Sequence, residues 1–246
     1  FTGRTSSVSL SGGVSSIYSG KDACVYAAFI EADTEASSSS SSLAFSNGSV
    51  LAPVSYLSSS GGFGASAAVE VQSSLVDIST ASVIRGTGDG ISGSNMSLIF
   101  ARDATVSGTE TGISAYSGTI IEAQNIDVSG STDKGIYATG TSIIKANSGN
   151  ASNCGNYGVH ADSGSTIEFS NGNANSAGGD ACIYASDCST ITAPSATANN
   201  ANMHGVLAVY NSRINIENGT ATDYGQGGDP SSKGVYANHG GRIQAG

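Results

Sequence analysis

Between Gly112 and Gly246 one short phrase returns six times: a small residue, then Ile or Val, then any residue, then Ala. It reads Gly112-Ile113-Ser114-Ala115, Gly135-Ile136-Tyr137-Ala138, Gly158-Val159-His160-Ala161, Cys182-Ile183-Tyr184-Ala185, Gly205-Val206-Leu207-Ala208 and Gly234-Val235-Tyr236-Ala237, at steps of 23, 23, 24, 23 and 29 residues. Nine residues after each opening residue stands a second apolar mark: Ile121, Ile144, Ile167, Ile191, Ile214 and Ile243. Sixteen residues after it comes a smaller one, at Val128, Ala151, Ala174, Ala198 and Ala221. A period in the twenties with three apolar marks means that no unit can bury a core alone; each must stack on its neighbours.

Within each mark the pattern alternates, with Ile136 and Ala138 around Tyr137, Ile167 and Phe169 around Glu168, and Ile214 and Ile216 around Asn215. A period of two predicts strands. Asp103, Asn125, Asn171 and Asn218 each stand thirteen residues after an opening residue, where a tight corner needs the left-handed backbone that Asn and Asp tolerate. Three short strands per unit joined by such corners make one turn of a coil, and successive turns then pair in parallel about 4.8 Å apart. The expected fold is all-β: a right-handed single-chain parallel β-helix of about nine to ten turns of 22–24 residues. The right hand follows from turn length, since left-handed hexapeptide coils use shorter turns. A leucine-rich repeat is excluded by the scarcity of Leu in the second half, and a calcium-binding nonapeptide coil by having only Gly86-Thr87-Gly88-Asp89-Gly90 as an echo.

The whole of residues 1–246 reads as one continuous coil, looser and loop-bearing over 1–67 and regular over 68–246. Val8-Ser9-Leu10 fits the tail of a turn. Asp22-Ala23-Cys24-Val25-Tyr26-Ala27 matches Asp180-Ala181-Cys182-Ile183-Tyr184-Ala185, and Leu43-Ala44-Phe45-Ser46-Asn47-Gly48 matches Ile167-Glu168-Phe169-Ser170-Asn171-Gly172. That alignment places one turn with two loops, Ser37–Ser42 and Ser58–Gly64, between Cys24 and Ala68. The long last step holds an inserted loop, Gly225–Ser232. An uncapped coil beginning at Phe1 and stopping within a turn at Gly246 reads as an excerpt of a longer chain.

A composition of 38% hydrophobic residues, 34 Gly and no Trp is poor for a globule, but a narrow stack needs few large side chains. A net charge of −10 with only 9 basic residues argues against nucleic acid and against anionic membranes, and no apolar run is long enough to cross a bilayer. Cys24, Cys154, Cys182 and Cys188 occupy three repeat positions without a C-x-x-C, which predicts free buried thiols. No metal cluster and no cofactor motif is present in the sequence.

Chemistry must come from outward side chains. The middle residue of the phrase gives one ladder, Ser92, Ser114, Tyr137, His160, Tyr184, Leu207 and Tyr236; the second strand gives Phe100, Glu122, Lys145, Glu168, Thr192, Asn215 and Gln244, flanked by Arg213 and Arg242. Tyr137, His160 and Tyr184 form a stripe suited to sugar rings, and Tyr with His can act as base and acid in β-elimination of a uronate polymer; these three are the candidate catalytic residues. The same stripe also suits packing against a neighbouring chain. Lys145, Glu122, Glu168, Arg213 and Tyr236 are the candidate substrate-binding residues. Glu122 and Glu168, two rungs and roughly 9.6 Å apart, reach the upper edge of the inverting-glycosidase window, but Lys145 between them favours a salt-bridge ladder.

These turns, openings, Asn corners, Ser/Gly-rich loops and acidic balance resemble the β-helical bodies of bacteriophage tailspikes and tail fibres over residues 20–246. The resemblance implies a homotrimer on the virion that recognises bacterial capsular polysaccharide or lipopolysaccharide and, as such proteins often do, degrades it, in that case as a polysaccharide lyase or glycoside hydrolase; no cofactor is expected. The competing class is a bacterial surface adhesin or autotransporter-type stalk without enzymatic activity. Secreted passengers usually avoid Cys, so four of them favour folding in a reducing cytosol.

Overall fold

A computed structural model describes residues 88–222, 224–225 and 231–246 and, before them, the strand segments between Ser7 and Arg85 together with Ile78 and Ser79. Every strand pairs in parallel with the strand one turn away, and the strands visit three walls in strict rotation. The fold is the all-β parallel β-helix that the period predicts. The first wall is a ten-stranded sheet from Ser15–Tyr18 to Val235–Ala237, built from the repeated phrase. The second, also ten-stranded, runs from Cys24–Val25 to Arg242–Gln244 and carries the second mark. The third begins as a five-stranded sheet, Ser7–Ser11 to Thr105–Ser107, and continues as isolated bridges from Thr105 through Asp127, Asn150, Asn173 and Thr197 to Thr220.

The register of the early turns differs from the sequence alignment. Leu43 pairs with Val69 and Phe45 with Val71, so Leu43–Ser46 belongs to the first wall and not to the second. Cys24 pairs with Ser49, which pairs with Leu75, so Cys24–Val25 lies in the second wall and not the first. Two turns therefore separate Cys24 from the regular repeats, where one looped turn was expected. A Leu-x-Phe pair alternates equally well on either wall, and nothing local distinguishes the two. Ser58 and Ser59 end a third-wall strand, Tyr56–Ser59, instead of opening a loop. The rest of that loop, Ser37–Ser42 and most of Gly225–Ser232 lie outside the described residues.

The corners explain why this sequence coils. Asp103, Asn125, Asn171 and Asn218 have φ of 56, 56, 54 and 56°, and Ser148 and Ser195 fill the same corner in the turns that lack Asn or Asp. A second corner, between the first and second walls, has two successive left-handed residues in each turn from Asn95-Met96 to His239-Gly240, such as Ser117-Gly118, Ser163-Gly164 and Tyr210-Asn211. The amide of the next residue donates to the carbonyl before the pair, as from Thr119 to Tyr116 at 3.3 Å and from Ser165 to Asp162 at 3.2 Å, which makes this a type I′ reversal. Chain reversal brings the inner faces of the two walls together and turns their outer faces away from each other. Gly241 follows the last reversal, and immediately after each of the six before it stands a buried hydroxyl: Ser97, Thr119, Ser142, Ser165, Ser189, Ser212. Some of these stitch rungs together, for the Ser142 and Ser165 amides donate to the hydroxyls of Ser165 and Ser189 at 3.1 and 3.2 Å.

The small opening residue has a steric cause. A Cβ on Gly112 would lie 2.5 Å from the Val128 Cβ and 2.6 Å from the Gly135 carbonyl oxygen, because the first and third walls nearly touch there. Inside, Ile121, Ile144, Ile167, Ile191 and Ile214 are wholly buried in one continuous core, with Ile243 packed on its end. Each such isoleucine contributes about 2 kcal/mol of burial. Cys154 and Cys182 are buried, and burial pushes their thiols up to about 12 and about 11. Cys188 departs from the expectation: it is exposed, on a left-handed corner.

Candidate functional site

The three stripe residues are neighbours. Tyr137 pairs with His160 and His160 with Tyr184 across consecutive strands, with ring centroids 5.0 and 4.7 Å apart. Two further tyrosines complete a five-ring ladder. Tyr157 lies 4.9 Å from His160 and is stacked on Tyr184 at 5.1 Å and 18°, and Tyr116 meets Tyr137 edge-on at 5.9 Å. Tyr157 stands just before the opening Gly158, in register with Lys134 and Ala181. With an opening glycine in the pleat, the position before it emerges on the same face as the middle of the phrase. Sequence alternation alone hides this second column, which also holds Asp89, Thr111 and His204. Because the inner rings face one another, they offer a ligand their edges and hydroxyls instead of open faces.

His160 is not the exposed residue its outward position suggests: it keeps only 9% of its surface. Its Nε2 lies 3.4 Å from the Ser186 hydroxyl, which donates to Asp162 Oδ1 at 2.9 Å. The serine proton is thus engaged, so Nε2–H donates to Ser186, and Nδ1 is left as a buried acceptor without a partner. Burial lowers the imidazole pKa from 6.5 to about 4, with Lys134 acting in the same direction against Asp162 and Asp133. At neutral pH this is an uncharged, enclosed ring. His204, the second histidine of the first wall, is also buried and packs on Tyr236 at 5.0 Å.

Carboxylates flank the ladder on both edges. Below it, Asp89 accepts from Ser114 at 2.6 Å and from Tyr116 at 3.4 Å; burial raises its carboxyl pKa against those hydrogen bonds. Burial also pushes the Tyr116 phenol up to about 12. On one edge Asp133 binds Lys134 and Asn156, and Asp180 accepts from the Tyr157 hydroxyl at 3.1 Å. On the other edge burial raises the Asp162 carboxyl, but the hydroxyls of Ser186 and Ser163, which donate to it at 2.9 and 3.1 Å, hold it below the usual range, and Asp187 stands beside it. Lys134, the ladder's nearest ammonium, is held by Asp133 and sits 5.1 Å from the Tyr137 ring. The face is aromatic, hydroxyl-rich and net negative.

The remaining candidates fall elsewhere. Tyr236 lies on the first wall beyond Leu207, its hydroxyl accepting from Asn238 at 3.1 Å. Glu122, Lys145 and Glu168 occupy consecutive rungs of the second wall, on the opposite face. Lys145 Nζ reaches Glu122 at 3.5 Å, and Arg102, missed from sequence, also pairs with Glu122 and holds its carboxyl below the usual range. Glu168 has no ion pair among the described residues. Arg213 is exposed higher on the same wall, beside Arg242. The eight candidates therefore make two groups that no single small ligand can bridge. Comparison with protein-family models, with curated proteins and with solved structures gives no match. Among the described residues no group of three or more His, Cys, Asp and Glu is placed to hold a metal ion.

Proposed function

We propose that this chain is the β-helical body of a tailspike or tail-fibre type protein that binds bacterial surface polysaccharide through its first wall. The observation that carries the proposal is the acid-flanked aromatic ladder. Carboxylates accept charge-assisted hydrogen bonds from sugar hydroxyls, protonated phenols donate and accept, and ring edges supply apolar contact. Three rungs span about 10 Å, enough for roughly two pyranose rings. The same negative flanks repel a uronate, so the fitting stretch of capsule or lipopolysaccharide is neutral and rich in hydroxyls. His160, with Nδ1 enclosed, is suited to holding the ladder together, and we assign this face binding without turnover. Carriage on a virion as a parallel homotrimer belongs to the same proposal. Its support is the half-buried pair Tyr184 and Tyr236, which lie over the buried apolar cluster of Ala181, Leu207 and Val209, continue the ladder upward and are the rings a second copy would cover.

The test is binding of the protein to purified neutral and acidic capsular polysaccharides and lipopolysaccharides, followed by calorimetry, with absorbance of unsaturated uronate monitored in parallel. Neutral glycans should bind, and Tyr137→Phe and Tyr184→Phe should weaken them several-fold. Equal binding by wild type and both variants, or release of unsaturated product, overturns the assignment. Sedimentation as a monomer at micromolar concentration overturns the trimer.

A further inference from the structure

The second wall ends in a feature with a different sign. Arg213 and Arg242 lie directly opposite one another on consecutive strands, about 4.8 Å apart along the coil. Both are exposed, and among the described residues neither makes an ion pair. In a chain of net charge −10, Arg102, Lys134 and Lys145 each sit on a carboxylate, and Arg213 and Arg242 are set apart by facing another cation on the adjacent rung instead. Like charges directly opposite in a sheet repel, so the pair costs stability unless something negative lies between them. Their neighbours on the wall are neutral hydrogen-bonding groups: Thr190 below Arg213, and Thr192, Asn215 and Gln244 in the adjoining column. Glu168 lies two rungs below Asn215, and Glu217 stands at the following corner with its amide bonded to Asn215.

We infer that Arg213 and Arg242 form a binding site for the oxyanion of an acidic saccharide, a carboxylate or a phosphate monoester. Two guanidinium forks on a rigid rung spacing bracket a planar or tetrahedral oxyanion, each able to donate two parallel hydrogen bonds. Thr190, Thr192, Asn215 and Gln244 then meet the hydroxyls of the same sugar. The inference rests on the polysaccharide reading above and sharpens it. Acidic sugar units are taken by the second wall and neutral ones by the first, which repels them.

The experiment is calorimetric titration of wild-type protein and of the Arg213→Gln/Arg242→Gln double variant with tetragalacturonate, inorganic phosphate and maltotetraose, at low and at raised salt. Both arginines are exposed, so the variant is expected to fold, and its melting temperature at low salt should rise slightly as the repulsion is removed. Wild type should bind tetragalacturonate or phosphate, the variant roughly tenfold or more weakly, and added salt should narrow that gap. Tetragalacturonate without phosphate binding assigns the carboxylate, and the reverse assigns the phosphate. Equal affinity of wild type and variant for both acidic probes, or no binding of either by wild type, overturns the site. Maltotetraose tests the first wall alone. Its failure to bind wild type counts against the polysaccharide reading of the ladder, while the acidic arms still decide the arginine pair.

Discussion

The outer faces of the first and second walls are made by the same repeat, on the same rungs, yet they are built in opposite ways. On the first wall large rings stack along the coil until His160 is almost enclosed, and carboxylates line both edges. On the second wall the side chains stand apart, apolar at Ile120 and Ile143, charge-paired at Glu122 and Lys145, and basic at Arg213 and Arg242. The difference teaches that an outward position in a parallel coil is not automatically a solvent position. Identical registers every 4.8 Å or so let rings of neighbouring turns bury each other, whereas short or charged side chains cannot.

Replacing Ile167 by Asp should have the largest effect and should erase the contrast altogether. The site is wholly enclosed in aliphatic neighbours, so an unpaired carboxylate there should cost about 4 kcal/mol or more, and the cooperative far-ultraviolet transition should be lost or shifted far down.

Acid should break the first wall before the second. His160 has a folded pKa of about 4 against 6.5 unfolded, so its neutral form favours the fold. That contribution is complete above pH 6.5 and declines as pH falls from there toward 4, reaching a loss of about 3 kcal/mol below both values. Denaturant midpoints measured from pH 7 to 4 should fall accordingly, and His160→Gln should flatten that part of the profile. An unchanged slope in the variant assigns the acid sensitivity to other groups.

A smaller expected effect compares one residue from each face. Tyr157→Ala removes a ring packed on both His160 and Tyr184 and should cost about 2 kcal/mol, while Thr190→Ala should stay within about 0.5 kcal/mol in urea titration. Equal losses would mean that the two faces do not differ in packing. The smallest effect belongs to Lys145→Ala. Its ion pair with Glu122 is partly exposed and shared with Arg102, so the change should be about 0.5 kcal/mol or less and should vanish in high salt.

Much of this architecture is legible in the residues alone, because a β-coil repeats its constraints. The isoleucine column, the Asn and Asp corners and the inward alternation each recur often enough that chance is excluded. Legibility fails where the repeat is loose. Leu43-Ala44-Phe45 satisfies the alternation of either wall, and only its pairing with Val69 and Val71 decides between them. It fails again at the face of the first wall. Tyr157 lies off the column of Tyr137 and Tyr184 in the chain, yet its ring is packed on Tyr184. His160 was legible as outward but not as enclosed, because enclosure comes from rings one turn away on either side.

By itself the sequence determined the coil, its period, its core columns and the identity of the groups that stand outside. Those properties follow from steric rules that act within a turn and repeat. Only the tertiary structure decided that Tyr116 and Tyr157 join the aromatic stripe, that the stripe is a closed ladder edged with carboxylates, and that among the described residues Arg213 and Arg242 make no ion pair. These depend on which side chains of neighbouring turns reach one another, and a difference of one position in register or a glycine in the pleat changes that completely.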